Sequence, residues 1–87
     1  MKIRRTKDVS WRIVEDEGVI LHFRTGAYYS LNEIGLRIWE LCDGKNSTQE
    51  IQSILASEYD GGEGKMGKEV DHFLTQLHRE KLIEIVS

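Results

Sequence analysis

The sequence has no proline, a single cysteine and no long apolar run. A lone cysteine, Cys42, excludes an internal disulfide and favours a reducing compartment. The longest apolar run is Val19-Ile20-Leu21, far short of the ~20 residues that a membrane-spanning helix needs. The basic start MKIRRTKDV is not followed by the apolar segment of a signal peptide. We therefore expect a cytoplasmic protein.

Positive charge is also scarce. Lysine and arginine total 12 against 15 aspartate and glutamate, a formal net charge of −3. Broad nucleic-acid binding normally needs a net basic surface, so this balance argues against it. The chain has 87 residues, 39% hydrophobic and 31% charged. These values are typical of one small globular domain with a thin core.

The sequence offers little material for catalysis. The three histidines, His22, His72 and His78, include no pair spaced four residues apart. Cys42 falls on the apolar side of a predicted helix, which favours a buried core position. No second cysteine is present for a zinc site. The glycine-rich stretch GGEGKMG lacks the Gly-Lys-Ser/Thr ending of a phosphate-binding loop. We expect neither enzymatic activity nor a metal or other cofactor.

The first third of the chain predicts strands. Residues 1–9 carry four basic side chains and little to bury, so we expect a flexible N-terminal arm, with residues 10–87 forming a single domain. Runs rich in β-branched and aromatic residues at 11–14, 19–23 and 27–31 predict three short strands. Asp16-Glu17-Gly18 and Arg24-Thr25-Gly26 are typical turn sequences. Together they predict an antiparallel meander.

The remainder predicts three helices. Asn32 is a good N-cap for a helix that carries Ile34 and Ile38, and Gly44 suits the left-handed position just after its end. Ser47-Thr48-Gln49-Glu50 is a capping box that starts a second helix. A third helix is expected from about residue 68 to 80, after a mobile glycine-rich linker at 60–67. The fold class is therefore α+β: a three-stranded antiparallel sheet followed by three helices, resembling a winged helix-turn-helix. Residues 82–86 form a β-rich tail that packs onto the domain or joins the sheet.

Two binding functions fit this architecture. A small winged-helix DNA-binding regulator is one, but residues 32–63 hold seven acidic and two basic side chains, a charge of −5 that repels phosphate. The other is peptide binding, because a strand at residues 27–31 lies at a sheet edge to which an extended peptide can add. Tyr28 and Tyr29 provide aromatic contact area there or simply cover the core. A structural subunit of an enzyme complex is a third possibility.

The run YYSLNEIGLRIWELCDGKNSTQEI, followed later by EVDHFLTQLHREKLIE, resembles the PqqD family. This family comprises the small protein of pyrroloquinoline quinone (PQQ) biosynthesis and related recognition elements of ribosomal peptide-modifying (RiPP) systems. The matching features are an aromatic-x-Leu-Asn step at 29–32, Ile-Trp-Glu-Leu at 38–41 and the Asp-Gly pair after them. They continue with the Phe-Leu-x-x-Leu helix before Leu82-Ile83. The likeness covers about residues 10–85.

The resemblance implies a domain without activity of its own. Such a domain binds the leader region of a precursor peptide as a strand added to the third β-strand, with apolar side chains entering a groove against the third helix. It then presents the peptide to a modifying enzyme, often a radical S-adenosylmethionine protein. By position, the implied peptide-binding residues are Ala27, Tyr28, Tyr29, Ser30, Leu31, Glu69, His72, Phe73, Gln76, Leu77 and Arg79.

The chain departs from the family pattern at two places. Lys81 stands where relatives usually have glycine after the third helix, and a left-handed lysine there costs about 1 kcal/mol. The linker is unusually rich in glycine. We therefore expect a domain-swapped homodimer to be accessible.

Overall fold

A computed structural model describes residues 1–59 and 62–86 (for residues 62–64 the backbone alone), with two small antiparallel sheets and three helices. In chain order the elements are β1 (Lys2–Arg5), β2 (Val9–Val14), β3 (Glu17–His22), β4 (Tyr28–Leu31), α1 (Glu33–Leu41), β5 (Asp43–Asn46), α2 (Thr48–Glu58), α3 (Gly62–Arg79) and β6 (Ile83–Val86).

The predicted meander is present as a sheet with the order β2-β3-β4. The β2–β3 turn begins one residue earlier than expected, at Glu15 and Asp16, which have φ of 50° and 69°, as type I′ turns require. The buried face of β3 carries Ile20 and His22, which are 0% and 2% exposed. The more apolar set of alternating residues, which ends at Phe23, lies on the other face, and Phe23 is 62% exposed. The hydrophobic pattern of β3 thus marks its outer face.

A second sheet, with the order β5-β1-β6, was not predicted. The sequence suggested a flexible arm over residues 1–9, but Lys2–Arg5 is the central strand and pairs with neighbours on both sides. Ile3 is 5% exposed and lies opposite Ile85. Burial of one side chain and hydrogen bonds on two edges stabilise β1 despite its basic composition.

Arg5 ties this sheet to the rest of the core. Its guanidinium lies 5.2 Å from the ring centroid of Trp11 and 5.9 Å from that of Trp39. It donates hydrogen bonds to the carbonyl oxygens of Trp39 and Glu40 at the end of α1. A cation at the C-terminus of a helix is stabilised by the helix dipole and by the aromatic faces.

The predicted starts of the first two helices are confirmed. The Asn32 side chain accepts from the Gly35 amide at 2.9 Å, and Ser47 and Glu50 form the capping box. The predicted end of α1 is wrong: the helix closes at Cys42, and Gly44, although left-handed with φ 85°, lies inside β5. Cys42 is fully buried, as expected, and burial raises the pKa of its thiol to about 12. Such a thiol is a poor nucleophile at neutral pH.

Helix α3 is longer than predicted. Residues 60 and 61 of the expected linker lie outside the described part of the chain, but residues 62–67 are helical and not a mobile linker. Met66 is 3% exposed and continues the buried stripe of Val70, Leu74 and Leu77. Packing of this stripe outweighs the poor helix propensity of glycine. The domain-swapped dimer, which rested on a long linker, stays a prediction.

Helix α3 ends in a Schellman motif. The Leu82 amide donates to the Leu77 carbonyl at 2.9 Å, and the Lys81 amide donates to the His78 carbonyl at 3.1 Å. This motif needs a left-handed residue at the C′ position, and Lys81 has φ 60°. Lysine therefore occupies a position that favours glycine, the residue that PqqD relatives usually have there.

Replacement of Lys81 by glycine is expected to raise the free energy of unfolding by about 1 kcal/mol, because glycine pays no Cβ penalty at positive φ. For a domain of this size that equals a rise in melting temperature of about 4–8 °C. Thermal denaturation of Lys81→Gly beside Lys81→Ala provides the check, since alanine keeps the Cβ. Equal stability of the two variants would contradict the assignment.

Candidate functional site

Strand β4 has an open edge. It pairs with β3 on one side, and no other strand in residues 1–59 and 62–86 pairs with its far side. The C-terminal strand β6, which was a candidate to cover this edge, pairs with β1 in the other sheet. The edge of β4 is therefore accessible to an added strand.

The register shows which backbone groups face this open edge. The His22 amide donates to the Ala27 carbonyl at 2.9 Å, whereas the Phe23 amide donates towards β2, to the Asp8 carbonyl. In antiparallel pairing the direction of backbone groups alternates along each strand. Tyr29, opposite Ile20, is therefore bonded to β3. Tyr28 and Ser30 direct their N–H and C=O groups to the open side.

A cavity of about 560 Å³ lies between this edge and the C-terminal half of α3. Its apolar lining includes Leu31, Leu77 and Leu82, which are buried, and Phe73, which is half-buried. The full lining is Tyr28, Tyr29, Ser30, Leu31, Phe73, Gln76, Leu77, Arg79, Glu80 and Leu82.

A second cavity of about 330 Å³ continues the first towards α1. It shares Ser30, Leu31 and Phe73 with the larger cavity and adds Asn32, Ile34, Gly35, Ile38, Glu69 and His72. We call the two cavities together the groove. A Cβ atom on Gly35 would lie 3.2 Å from Cζ of Phe73. The glycine therefore lets the Phe73 ring lie against α1 between the two parts of the groove.

Tyr29 spans the groove near the end of α3. Its hydroxyl donates to Oε1 of Glu80 at 3.3 Å. Partial burial and, after it, the negative charge of Glu80 raise the pKa of Tyr29, so the phenol keeps its proton at neutral pH. Tyr28, in contrast, is 71% exposed and lies on the opposite face of β4. The two tyrosines thus have different environments: Tyr29 is half-buried in the groove, and Tyr28 lies exposed at its edge.

The groove collects most of the residues that the sequence predicted. All of them line it except Ala27, whose carbonyl accepts from the His22 amide. Sequence reasoning missed Glu80 and Leu82, along with the part contributed by α1. Ile34 and Ile38 carry a usable signal, a four-residue apolar spacing, but the same spacing is typical of residues that only pack in the core.

The chemistry of the groove suits binding of an extended chain. Its floor is apolar, its rim mixes Glu69, Arg79 and Glu80 with uncharged groups, and one wall supplies backbone donors and acceptors. Among the side chains of residues 1–59 and 65–86, no three His, Cys, Asp or Glu residues are grouped as metal ligands would be. Within the same ranges, no helix combines the length and apolarity of a membrane span.

A family model described as Coenzyme PQQ synthesis protein D (PqqD) matches residues 17–83. Among curated proteins, none matches the chain. Among solved structures, TbiB1 in complex with the TbiA(beta) leader peptide is 28% identical, with a TM-score of 0.86, over 97% of this chain and 98% of that one.

Two further structures share the fold at lower identity. Lasso peptide synthetase B1 complexed with the leader peptide is 20% identical over 98% of this chain and 100% of that one, with a TM-score of 0.86. A PqqD truncation of Methylobacterium extorquens PqqCD, described as a stand-alone RiPP recognition element, is 22% identical over 95% and 88%, with a TM-score of 0.76. None of these structures is described as bound to DNA.

Proposed function

The chain belongs to the PqqD family, and on that premise we propose that it binds the leader region of a ribosomally made precursor peptide and presents the peptide to a modifying enzyme. One observation carries the proposal: the open edge of β4 lies directly beside the apolar groove along α3. TbiB1, which is similar over nearly its whole length, is described in complex with a leader peptide.

In this proposal the leader adds to the sheet as a strand next to β4. Its backbone bonds to the outward N–H and C=O groups of Tyr28 and Ser30. Side chains on a strand alternate between two faces, so every second residue of the leader enters the groove against Phe73 and Leu77. Backbone bonds supply affinity for any extended peptide, and the fit of apolar side chains supplies selectivity. The ligand class is therefore an extended segment with apolar residues at alternate positions.

We propose that the domain itself does no chemistry. Its task is to hold one part of the peptide while a separate enzyme, of the radical S-adenosylmethionine type in our proposal, acts on another part. Peptides of PQQ biosynthesis and of related pathways fit this scheme equally. The cytoplasmic location stays a prediction.

Selection from a displayed library of linear peptides, with the TbiA(beta) leader peptide as a further probe, tests the proposal. We expect enriched peptides with alternating apolar residues. Their dissociation constants should change little between 50 and 200 mM salt, since the rim has mixed charge, whereas contacts to many phosphates would weaken binding about a thousandfold or more over this range. A duplex DNA probe is the control. Enrichment of no linear peptide, or tighter binding of DNA than of any peptide, would refute the proposal.

A further inference from the structure

His22 occupies the junction between the two walls of the groove. It ends β3 and is 2% exposed, whereas His72 and His78 are exposed on α3. The Arg24 amide donates to Nδ1 of His22 at 3.2 Å. An Nδ1 atom that accepts a hydrogen bond carries no proton, so the neutral ring must carry its proton on Nε2.

The protonated nitrogen faces the end of α3. Nε2 of His22 lies 3.3 Å from the carbonyl oxygen of Lys81, so Nε2–H donates to it. Lys81 is the left-handed residue of the Schellman motif that closes α3. Its carbonyl is thus held in a conformation that lysine adopts only at a cost, and the imidazole bonds to that carbonyl.

The backbone of the same residue holds the start of the other wall. The His22 amide donates to the Ala27 carbonyl at 2.9 Å, and the Gly26 amide donates to the His22 carbonyl at 2.8 Å. These bonds close the loop that leads into β4. His22 therefore contacts the beginning of β4 through its main chain and the end of α3 through its ring.

We propose that His22 is a positioning residue for the groove. Through the hydrogen bond from its Nε2–H to the Lys81 carbonyl, His22 sets the separation between β4 and the end of α3. This inference rests on the proposed function and deepens it, because it names a residue that controls peptide affinity without contacting the peptide. A histidine that merely filled space would be replaceable by leucine, whose volume and apolarity suit a core site. The positioning role predicts that leucine fails.

The first part of the test needs no peptide. Long-range ¹H–¹⁵N spectra of the intact wild-type chain report which ring nitrogen of each histidine carries a proton. We expect the neutral imidazole of His22 to carry its proton on Nε2 and none on Nδ1. A proton on Nδ1 would remove the link to Lys81 and overturn the inference.

The second part uses three variants and the tightest peptide selected from the displayed library. In His22→Gln the side-chain amide reaches the place of Nε2 and can donate to the Lys81 carbonyl. In His22→Asn the amide oxygen replaces Nδ1 but the side chain is too short to reach Lys81, and His22→Leu makes neither bond. We expect the dissociation constants of the asparagine and leucine variants to be about tenfold larger than that of wild type, the effect of one hydrogen bond. The dissociation constant of the glutamine variant should lie within about threefold of the wild-type value.

Leucine binding as tightly as wild type, or equal losses in all three variants, would overturn the positioning role. Melting curves of each variant separate lost affinity from lost folding. If wild type binds no selected peptide, the proposed function falls and this inference falls with it. If wild type binds but the ring proton lies on Nδ1, the inference alone falls.

Discussion

Replacing Ser30 by proline is expected to weaken peptide binding by at least tenfold while the domain stays folded. The Ser30 amide points to the open edge of β4, so proline removes one donor that the added strand would use, worth about 0.5–1.5 kcal/mol. The proline ring also projects into the space where the added strand would lie. Proline is tolerated on an edge strand when the lost N–H faced solvent.

Ser30→Ala is the matched control for this experiment. Ser30 is exposed, and alanine keeps the amide, so the variant should bind like wild type. Tyr29→Pro provides the opposite control, because the Tyr29 amide bonds to β3 and its loss should destabilise the sheet. Isothermal titration with a selected peptide, together with melting curves, gives both quantities. Unchanged binding by folded Ser30→Pro would show that the peptide does not use this edge.

The second large effect is expected from filling the groove. Gln76 is exposed and lines the larger cavity, so Gln76→Trp places a ring where the apolar side chains of the peptide would enter. We expect peptide affinity to fall by tenfold or more, because an occupied groove must be emptied before the peptide docks. The free energy of unfolding should stay within about 0.5 kcal/mol of wild type, as for most surface substitutions.

Thr75→Trp is the control for the groove-filling variant. Thr75 is the adjacent residue of α3, is also exposed, and lies on the side that faces Ile83 and Ile85. The same ring at the next position should therefore leave peptide affinity unchanged. If both variants lost the same peptide affinity, the added tryptophan would act through a general disturbance of α3. If both bound the peptide as tightly as wild type, the groove would not be the binding site.

Elements with local signals were predictable from the sequence. The side chains of Asn32 and Ser47 bond to amides three residues away, so the capping pattern is visible within one turn of sequence. The position of strand β4 followed from its place between a tight turn and a capped helix. These local signals predicted a strand at residues 27–31, and the structure has it at Tyr28–Leu31.

Elements that depend on distant partners were not predictable in this way. Strand β1 pairs with β6, so Lys2 lies opposite Val86, and nothing in the basic residues of β1 indicates that partner. The sequence of the first turns of α3 predicts a linker, because glycine disfavours helix locally. The packing of Met66, which stabilises these turns, is a tertiary effect that local sequence does not show. The role of the α1 residues in the groove also depends on how α1 and α3 pack together.

The inner face of β3 shows why pattern alone misleads. The alternation of Val19, Leu21 and Phe23 is the more apolar of the two, yet the core face carries Gly18, Ile20 and His22. A Cβ on Gly18 would lie 2.9 Å from Cδ1 of Leu36 and 3.3 Å from Cβ of Leu31, so a larger residue there would displace the Leu36 side chain. Close packing and a buried hydrogen-bonded histidine, not hydrophobicity, decide which face turns inward.

Amide hydrogen exchange of the domain, with and without a bound peptide, reports directly on whether a peptide adds to the open edge of β4. We expect the Tyr28 and Ser30 amides to exchange rapidly in the free protein and to become protected when the peptide binds, while the Tyr29 amide is protected in both states. Tyr28 and Ser30 amides that are already protected in the free protein, or that stay unprotected in a saturated complex, would contradict it.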